Sequence, residues 1–233
     1  MVGDAFGSAL LDQLDGKRGT VIYERDDGYV EIDHGDYFDD WSERDTWAVE
    51  RLRGRVLDIG AGAGRVTSVI AERGLEVVAL DVSAGAVEVC RRRGIENVLH
   101  GTIDDFRGSQ LFDSFLVLGN NLGLIGSPDG AKRFFASLTR LAQPGAVLVG
   151  GCLDPYQTDN PDHLAYHELN QARGRMPGQV TLRTRYKRLA TEWFDLLWVT
   201  LDELSRLSES CGWRVIDTLP GMVYAVVLEM VQA

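Results

Sequence analysis

The residues best suited to chemistry stand together in Asp58-Ile59-Gly60-Ala61-Gly62-Ala63-Gly64-Arg65, directly after the apolar pair Val56-Leu57. An acid followed by glycines at alternate positions lets the backbone turn sharply from strand to helix and approach a bound polar group closely. A second acid, Asp81, ends the next apolar run, Glu76-Val77-Val78-Ala79-Leu80. That is the separation expected of a carboxylate that accepts from the hydroxyls of an adenosine ribose. Two cofactor classes use such a loop. A dinucleotide loop wants a small residue at its sixth position, where helix and strand pack beside the pyrophosphate. Counted from Gly60, that position is Arg65, so an NAD-dependent reading trails. Asp58 also has no place beside a pyrophosphate, whereas it suits a ligand that carries an ammonium group.

Such residues need a sheet to hold them. From Gly54 to Cys152 short β-branched runs alternate with helical stretches, the pattern of βαβ units in a parallel sheet. Strands are predicted at 55–59, 76–80, 96–100, 112–118 and 145–151. Ser83 is placed to cap a helix that stops at Gly94, and Ser127-Pro128 opens one that ends before Pro144-Gly145. Thr200-Leu201-Asp202-Glu203 reads as a capping box, with Leu201, Leu204 and Leu207 at helical spacing and Gly212 as the stop. Strands at 213–218 and 223–230 follow. Outside this pattern, residues 1–54 predict a short helix, a hairpin (20–24 and 29–33, turning at Asp26-Asp27-Gly28) and a helix through Trp41 and Trp47. Residues 153–199 predict a polar helix with His163, Tyr166 and His167, a break at Pro177-Gly178, and strands at 180–188 and 191–199.

Three motifs in order, D-I-G-A-G-A-G-R (58–65), A-L-D-V-S (79–83) and F-D-S-F-L-V-L-G-N-N-L-G-L (112–124), resemble those of class I S-adenosylmethionine-dependent methyltransferases. The likeness runs from about residue 54 to 152, and the closing helix and hairpin extend it. It implies an α/β fold: a seven-stranded Rossmann-like sheet with helices on both faces and a C-terminal antiparallel hairpin. One domain, 1–233, is expected, divided into an N-terminal cap (1–54), a cofactor-binding core (55–152), an inserted acceptor lid (153–199) and the closing helix and hairpin (200–233). The cofactor implied is S-adenosylmethionine, released as S-adenosylhomocysteine. Gly60, Gly62 and Gly64 are then places of close backbone approach, with the Gly60 carbonyl and Asp58 turned to the methionine ammonium. Arg65 either meets the methionine carboxylate or is a solvated residue at a helix start. Asp81 is expected on the ribose and Val82 against one adenine face. The family often shows Gly-Asp after the third strand; here Gly101-Thr102-Ile103-Asp104-Asp105 stands there, leaving Ile103 and Asp104 as candidates for the adenine edge. Leu118 and Gly119 carbonyls help hold the ammonium, and Tyr37 matches an aromatic that closes over the cofactor, with core packing as its alternative.

The acceptor is less legible. Enzymes that methylate exocyclic base amines carry Asn/Asp-Pro-Pro-aromatic where this chain has Asn120-Asn121-Leu122-Gly123. A net charge of -11 and a pI near 4.8 also argue against a phosphate-tracking surface. The best candidate for a basic cluster, Arg173, Arg175, Arg183, Arg185, Lys187 and Arg188, is the place to look for an exception. The leading expectation is a small-molecule acceptor methylated at oxygen, nitrogen or carbon. The alternatives are a protein or nucleic-acid methyltransferase and a non-catalytic S-adenosylmethionine-binding partner protein. A hydroxyl acceptor needs a base, whereas a neutral amine needs only its lone pair presented. His34, His163, His167 and Asn120 are candidates for that side of the site. His163 and His167 also read as a surface pair, and Asn120 as a residue that satisfies its own loop. Tyr186, Trp193 and Trp198 suggest an aromatic-walled pocket or plain core. Cys90, Cys152 and Cys211 lack metal-ligand or disulfide spacing, so no metal is expected. With no leader or spanning run, a cytoplasmic monomer or homodimer is expected.

Overall fold

The computed structural model describes residues 1–17, 19–33, 35–108 and 110–231; His34 lies outside them. In chain order the elements begin with α1 (Ala5–Leu14), β1 (Val21–Arg25), β2 (Val30–Asp33) and α2 (Glu43–Val49). The alternating core follows: β3 (Arg55–Ile59), α3 (Arg65–Glu72), β4 (Glu76–Asp81), α4 (Ala84–Arg92), β5 (Val98–His100) and β6 (Phe112–Val117). A 3₁₀ turn (Asn121–Ile125), α5 (Pro128–Leu141) and β7 (Ala142–Leu153) complete it. Then come α6 (Pro161–Ala172), β8 (Gln179–Tyr186), β9 (Leu189–Ala190), β10 (Phe194–Leu197), α7 (Leu201–Glu209), β11 (Trp213–Leu219) and β12 (Val223–Met230).

The main sheet has seven strands in the order β11-β12-β7-β6-β3-β4-β5. β3 to β7 are parallel, and β12 enters antiparallel between β7 and β11. The chain therefore leaves β3 toward β4 and β5, then returns to β6 on the other side. A crevice opens at the carboxyl ends of β3 and β6, where such sheets place their ligands. One face of the sheet buries Phe112, Phe115, Phe135, Leu138 and Trp213; the other buries Val56, Ile70, Leu116 and Val149. Strands covered on both faces read as continuous apolar runs, which is why their positions were predictable.

The segments outside the core form a second antiparallel sheet, ordered β10-β8-β1-β2 with β9 on β8. The hairpin from residues 1–54 and the strands from 153–199 are thus neighbours in one sheet, through pairs such as Val21 with Tyr186 and Arg25 with Leu182. Local sequence carries no signal for that long-range pairing. Three expectations change, the first being the strand expected at 191–199, which covers only Phe194–Leu197. Trp41 stands outside its helix, because Ser42 and Asp45 form a reciprocal capping box that starts α2 at Glu43; the Trp41 indole instead donates to Thr46 Oγ1 at 2.9 Å. The predicted strand 180–188 stops at Tyr186, because Lys187 takes a positive φ of 52° and turns the chain into β9.

Candidate active site

The loop after β3 is built around its glycines. Gly60 has φ 74°, and a side chain there would place Cβ 2.5 Å from Asn121 Nδ2, which donates to the Gly60 carbonyl at 3.0 Å. Glycine is therefore required by conformation and by space. The Gly62 amide donates to Asp81 Oδ2 and the Ser83 amide to Asp81 Oδ1, both at 2.8 Å. The end of β4 is thereby tied to the loop after β3. Asp81 is 7% exposed, and burial raises its carboxyl above the ordinary range against the pull of those two amides.

Asp58, 5% exposed, lies behind the loop and accepts from Thr67 Oγ1 of α3 at 2.6 Å. Burial pushes its pKa up to about 6, with the Asp81 charge adding to the rise and the Thr67 bond opposing it. Gly64, φ 73°, stands at the N-cap of α3, and no side chain caps its first turn. Its opening amides and dipole form an anion-favouring mouth. Arg65 stands at that mouth. Its Nη2 pairs with Asp45 Oδ1 at 3.0 Å, while its Nη1 is buried with no partner among the described residues. Asp45 is a residue that sequence reading missed as a site member; its capping-box position was the available signal.

Val82 is 66% exposed, an apolar side chain beside the ribose-facing acid. Its carbonyl bonds His100 Nε2 at 2.9 Å, a contact that sequence reading did not foresee. Ile103 is buried in the core cluster with Phe106 and Phe112. The Asp104 carboxylate is engaged by Ser137 of α5 at 2.7 Å, and so faces that helix. Leu118 accepts from the Asn121 amide at 3.1 Å, Gly119 is exposed, and Asn120 adopts φ 65° with its Oδ1 buried and unpartnered among the described residues.

The second sheet forms a roof joined to the core on both sides of β3, through α1 on α4 and through β10 on the 3₁₀ turn. Asp4, at the start of α1, accepts from Ser83 Oγ and the Gly85 amide at 2.9 and 2.8 Å, fixing α1 beside the end of β4. On the other side Trp198 lies against Gly123, whose added Cβ would sit 3.0 Å from the indole; the Trp198 Nε1 is also buried without a partner among the described residues. Tyr37 packs edge-on against Phe6 in the cluster that holds Ala63 of the loop. His163 and His167 sit on α6 as the sequence suggested. His163 Nδ1 is bonded to Thr158 Oγ1 at 3.1 Å and its ring meets Tyr29. Burial, then the His163 charge, lowers the pKa of His167, which lies against Tyr156. The structure gives neither histidine a contact with the glycine loop. Among the described residues no group of histidine, cysteine or acidic side chains is arranged to hold a metal, and no helix is long and apolar enough to cross a membrane.

Residues 56–145 match the family model described as a methyltransferase domain. Among curated proteins, the chain is 34% identical over 101 residues to the ubiquinone biosynthesis O-methyltransferase of Hahella chejuensis (strain KCTC 2396), covering 40% of this chain and 41% of that one. It is 30% identical over 147 residues to the demethylmenaquinone methyltransferase of Clavibacter sepedonicus, covering 61% and 56%. The chain thus spans about half the length of these relatives. Among solved structures, a SAM-dependent methyltransferase from Bacteroides fragilis in complex with S-adenosyl-L-homocysteine superposes with a TM-score of 0.84, at 24% identity over 98% of this chain and 95% of that one. The switch-point crevice, its glycine loop and the matched core motifs agree: residues 56–145 are a methyltransferase domain, and the chain as a whole has the fold of the S-adenosylmethionine-dependent methyltransferases.

Proposed function

We propose that this protein transfers the methyl group of S-adenosylmethionine to a small-molecule acceptor. The observation that carries the reading is Asp81, pinned by the Gly62 and Ser83 amides at the mouth of the crevice. The residues around it fit the cofactor. A Cβ at Gly62, Gly101 or Gly119 would meet nothing within 4 Å, so open backbone surrounds the ends of β3, β5 and β6. The uncapped start of α3 and the unpartnered Arg65 Nη1 suit a carboxylate.

When bound, S-adenosylmethionine supplies a methyl group already activated by sulfonium, so transfer is an in-line displacement that depends on a positioned acceptor and a dry site. In this reading Asp81 accepts from the ribose hydroxyls, and Val82 covers the adenine with Ile103 and Asp104 behind it. Asp58, Gly60, Leu118 and Gly119 surround the ammonium. Asn121 stiffens the loop through the Gly60 carbonyl, Tyr37 and the roof exclude water, and Asn120 with Trp198 offer the acceptor an unused acceptor atom and an unused donor. A small molecule is favoured over nucleic acid because the basic cluster is occupied: Arg173, Arg175, Arg183, Arg185 and Lys187 each reach a carboxylate.

The test is calorimetric titration of the protein with S-adenosylhomocysteine and with NAD, repeated on Asp81→Ala. Binding of the first alone, lost in the variant, is expected. Binding of NAD, or none by either ligand, overturns the reading.

A further inference from the structure

A row of protic side chains leads from beneath the roof to solvent. Tyr23, on the inner face of β1, packs against Ala5, Val21 and Tyr186 on one side and Tyr166, Val180 and Leu182 on the other. Its Oη lies 3.3 Å from Tyr37 Oη, and Tyr37 Oη donates to Asp33 Oδ2 in a short hydrogen bond. A carboxylate only accepts, so the single Tyr37 proton is committed to Asp33 and Tyr23 is the donor to Tyr37. That order leaves the Tyr23 oxygen able to accept a further hydrogen bond. At the far end, Asp33 Oδ1 takes the Gly35 amide at 2.6 Å. Asp33 and Tyr37 line a cleft of about 790 Å³, shared with Lys17, Asp36 and Arg93.

Tyr23 and Trp198 pack against the same cluster of Tyr166, Val180 and Leu182, and Trp198 lies against Gly123 of the 3₁₀ turn, which links the inner end of the row to the acceptor side of the crevice. The roof is anchored at α4 through Asp4 and at the 3₁₀ turn through Trp198, and the glycine loop stands between these supports in the strand order. The charged groups facing Tyr23 are Glu31, opposite it on β2, and Asp33. Arg25, on the same strand, is occupied by Asp27, Tyr166 of α6 by Asp26, and Asp12 of α1 by Tyr186 and Lys187; Thr184 of β8, opposite Tyr23, is neutral. Burial keeps both phenols protonated, Tyr23 with a pKa raised to about 12 and Tyr37 higher still. They can pass a proton along without being standing bases.

We infer that Tyr23, Tyr37 and Asp33 form a proton path for a hydroxyl acceptor held between the roof and the glycine loop. This rests on the methyltransferase reading above. The acceptor oxygen bonds to the methyl carbon as the carbon–sulfur bond breaks, its electron pair going to sulfur. The hydroxyl proton passes to Tyr23 Oη, the Tyr23 proton to Tyr37 Oη, and the Tyr37 proton to Asp33, which releases it into the cleft. A neutral amine attacks without needing this path. Tyr23 is the catalytic residue of the set; Tyr37 and Asp33 are positioning residues that act through it.

The experiment compares wild type with Tyr23→Phe and Asp33→Asn. Methyl transfer to catechol and to 1,2-diaminobenzene is followed, S-adenosylhomocysteine affinity is measured by calorimetry, and 4-nitrophenol is bound to the S-adenosylhomocysteine complex. The yellow phenolate of the last probe reports its protonation state without turnover. In both variants kcat for catechol is expected to fall about a hundredfold, the usual scale of a lost acid–base group, at unchanged KM and unchanged S-adenosylhomocysteine affinity. Transfer to the diamine stays within twofold. Bound 4-nitrophenol is expected to stay neutral in wild type above the pH where the free probe ionises, and to lose that shift in Tyr23→Phe. Equal loss for both acceptors, no loss for catechol, transfer to the diamine alone, or failure to bind 4-nitrophenol overturns the path while leaving the cofactor reading standing. Failure of wild type to bind S-adenosylhomocysteine removes both.

Discussion

Asp58 makes cofactor affinity a titratable quantity. Its folded pKa of about 6 stands above the ordinary aspartate value of 3.8, so across that window the folded protein holds a proton that the unfolded chain has lost. The resulting stabilisation is complete below the unfolded value and disappears as pH rises through about 6. At neutral pH the ionised carboxylate is a buried charge that the Arg65 cation offsets only in part, and the shift corresponds to a cost of up to about 3 kcal/mol. A ligand ammonium beside it restores the balance but requires the ionised form. Affinity for S-adenosylhomocysteine is therefore expected to be flat above neutrality, to fall about twofold at pH 6 and to fall roughly tenfold at pH 5. The assay is calorimetry across that range in buffers of different ionisation enthalpy, which also counts the roughly half proton released on binding at pH 6. Asp58→Asn is expected to flatten the profile, weaken binding at neutral pH and raise the thermal midpoint of the ligand-free protein. A pH-independent affinity in wild type, or full affinity in Asp58→Asn, refutes the reasoning. The variant also separates Asp58 from Asp81, whose charge contributes to the shift.

Asp81→Ala frees the Gly62 and Ser83 amides, and loss of those charge-assisted bonds is expected to weaken S-adenosylhomocysteine binding by a factor of at least about ten in the same calorimeter. Arg65→Met leaves Asp45 without its cation; cofactor affinity drops roughly tenfold, and the Asp45 carboxyl, now held below its ordinary range by Arg65 and Ser42 against burial, rises, as NMR titration would register. Gly60→Ala forces a positive φ and a contact with Asn121, costing about 1–3 kcal/mol in denaturant unfolding. Trp198→Phe removes a donor that is unpartnered in the ligand-free protein, so stability is expected to hold within about 1 kcal/mol; a larger loss in urea unfolding would mean that the indole packing outweighs its unused N–H.

Much of the main sheet was legible because its local signals agree with its tertiary role. Apolar runs marked the strands, and Ser83, Ser127 and Thr200 cap helices where their sequence positions placed them. The glycine loop was legible for a different reason: positive φ and close packing at Gly60 leave no choice of residue. The roof was not. Nothing within residues 20–33 or 179–197 specifies a partner strand far away in sequence, and Tyr23 and Asp33 acquire their relation only when that sheet closes. The orphaned atoms of Arg65, Asn120 and Trp198 are likewise products of packing, although Arg65 and Asn120 were singled out by position. Trp41 misled because an aromatic beside a helical pattern looks helical, whereas the Ser42 box starts the helix after it.

The pairing of β1 with β8 also sets an order of assembly. The partners of the glycine loop lie among Asp58 to Asn121 or earlier in the chain, at Asp45, Leu10 and Tyr37, so during synthesis the cofactor half of the crevice can close while β8 is still unmade. The β1–β2 hairpin waits at the surface until most of the chain has emerged. A nascent or partly unfolded chain thus gains its grip on the nucleoside before it can shelter a second molecule. Removing residues 1–33 would strip β8 of its neighbour and bare an edge prone to pair with other chains, rather than trim a dispensable extension.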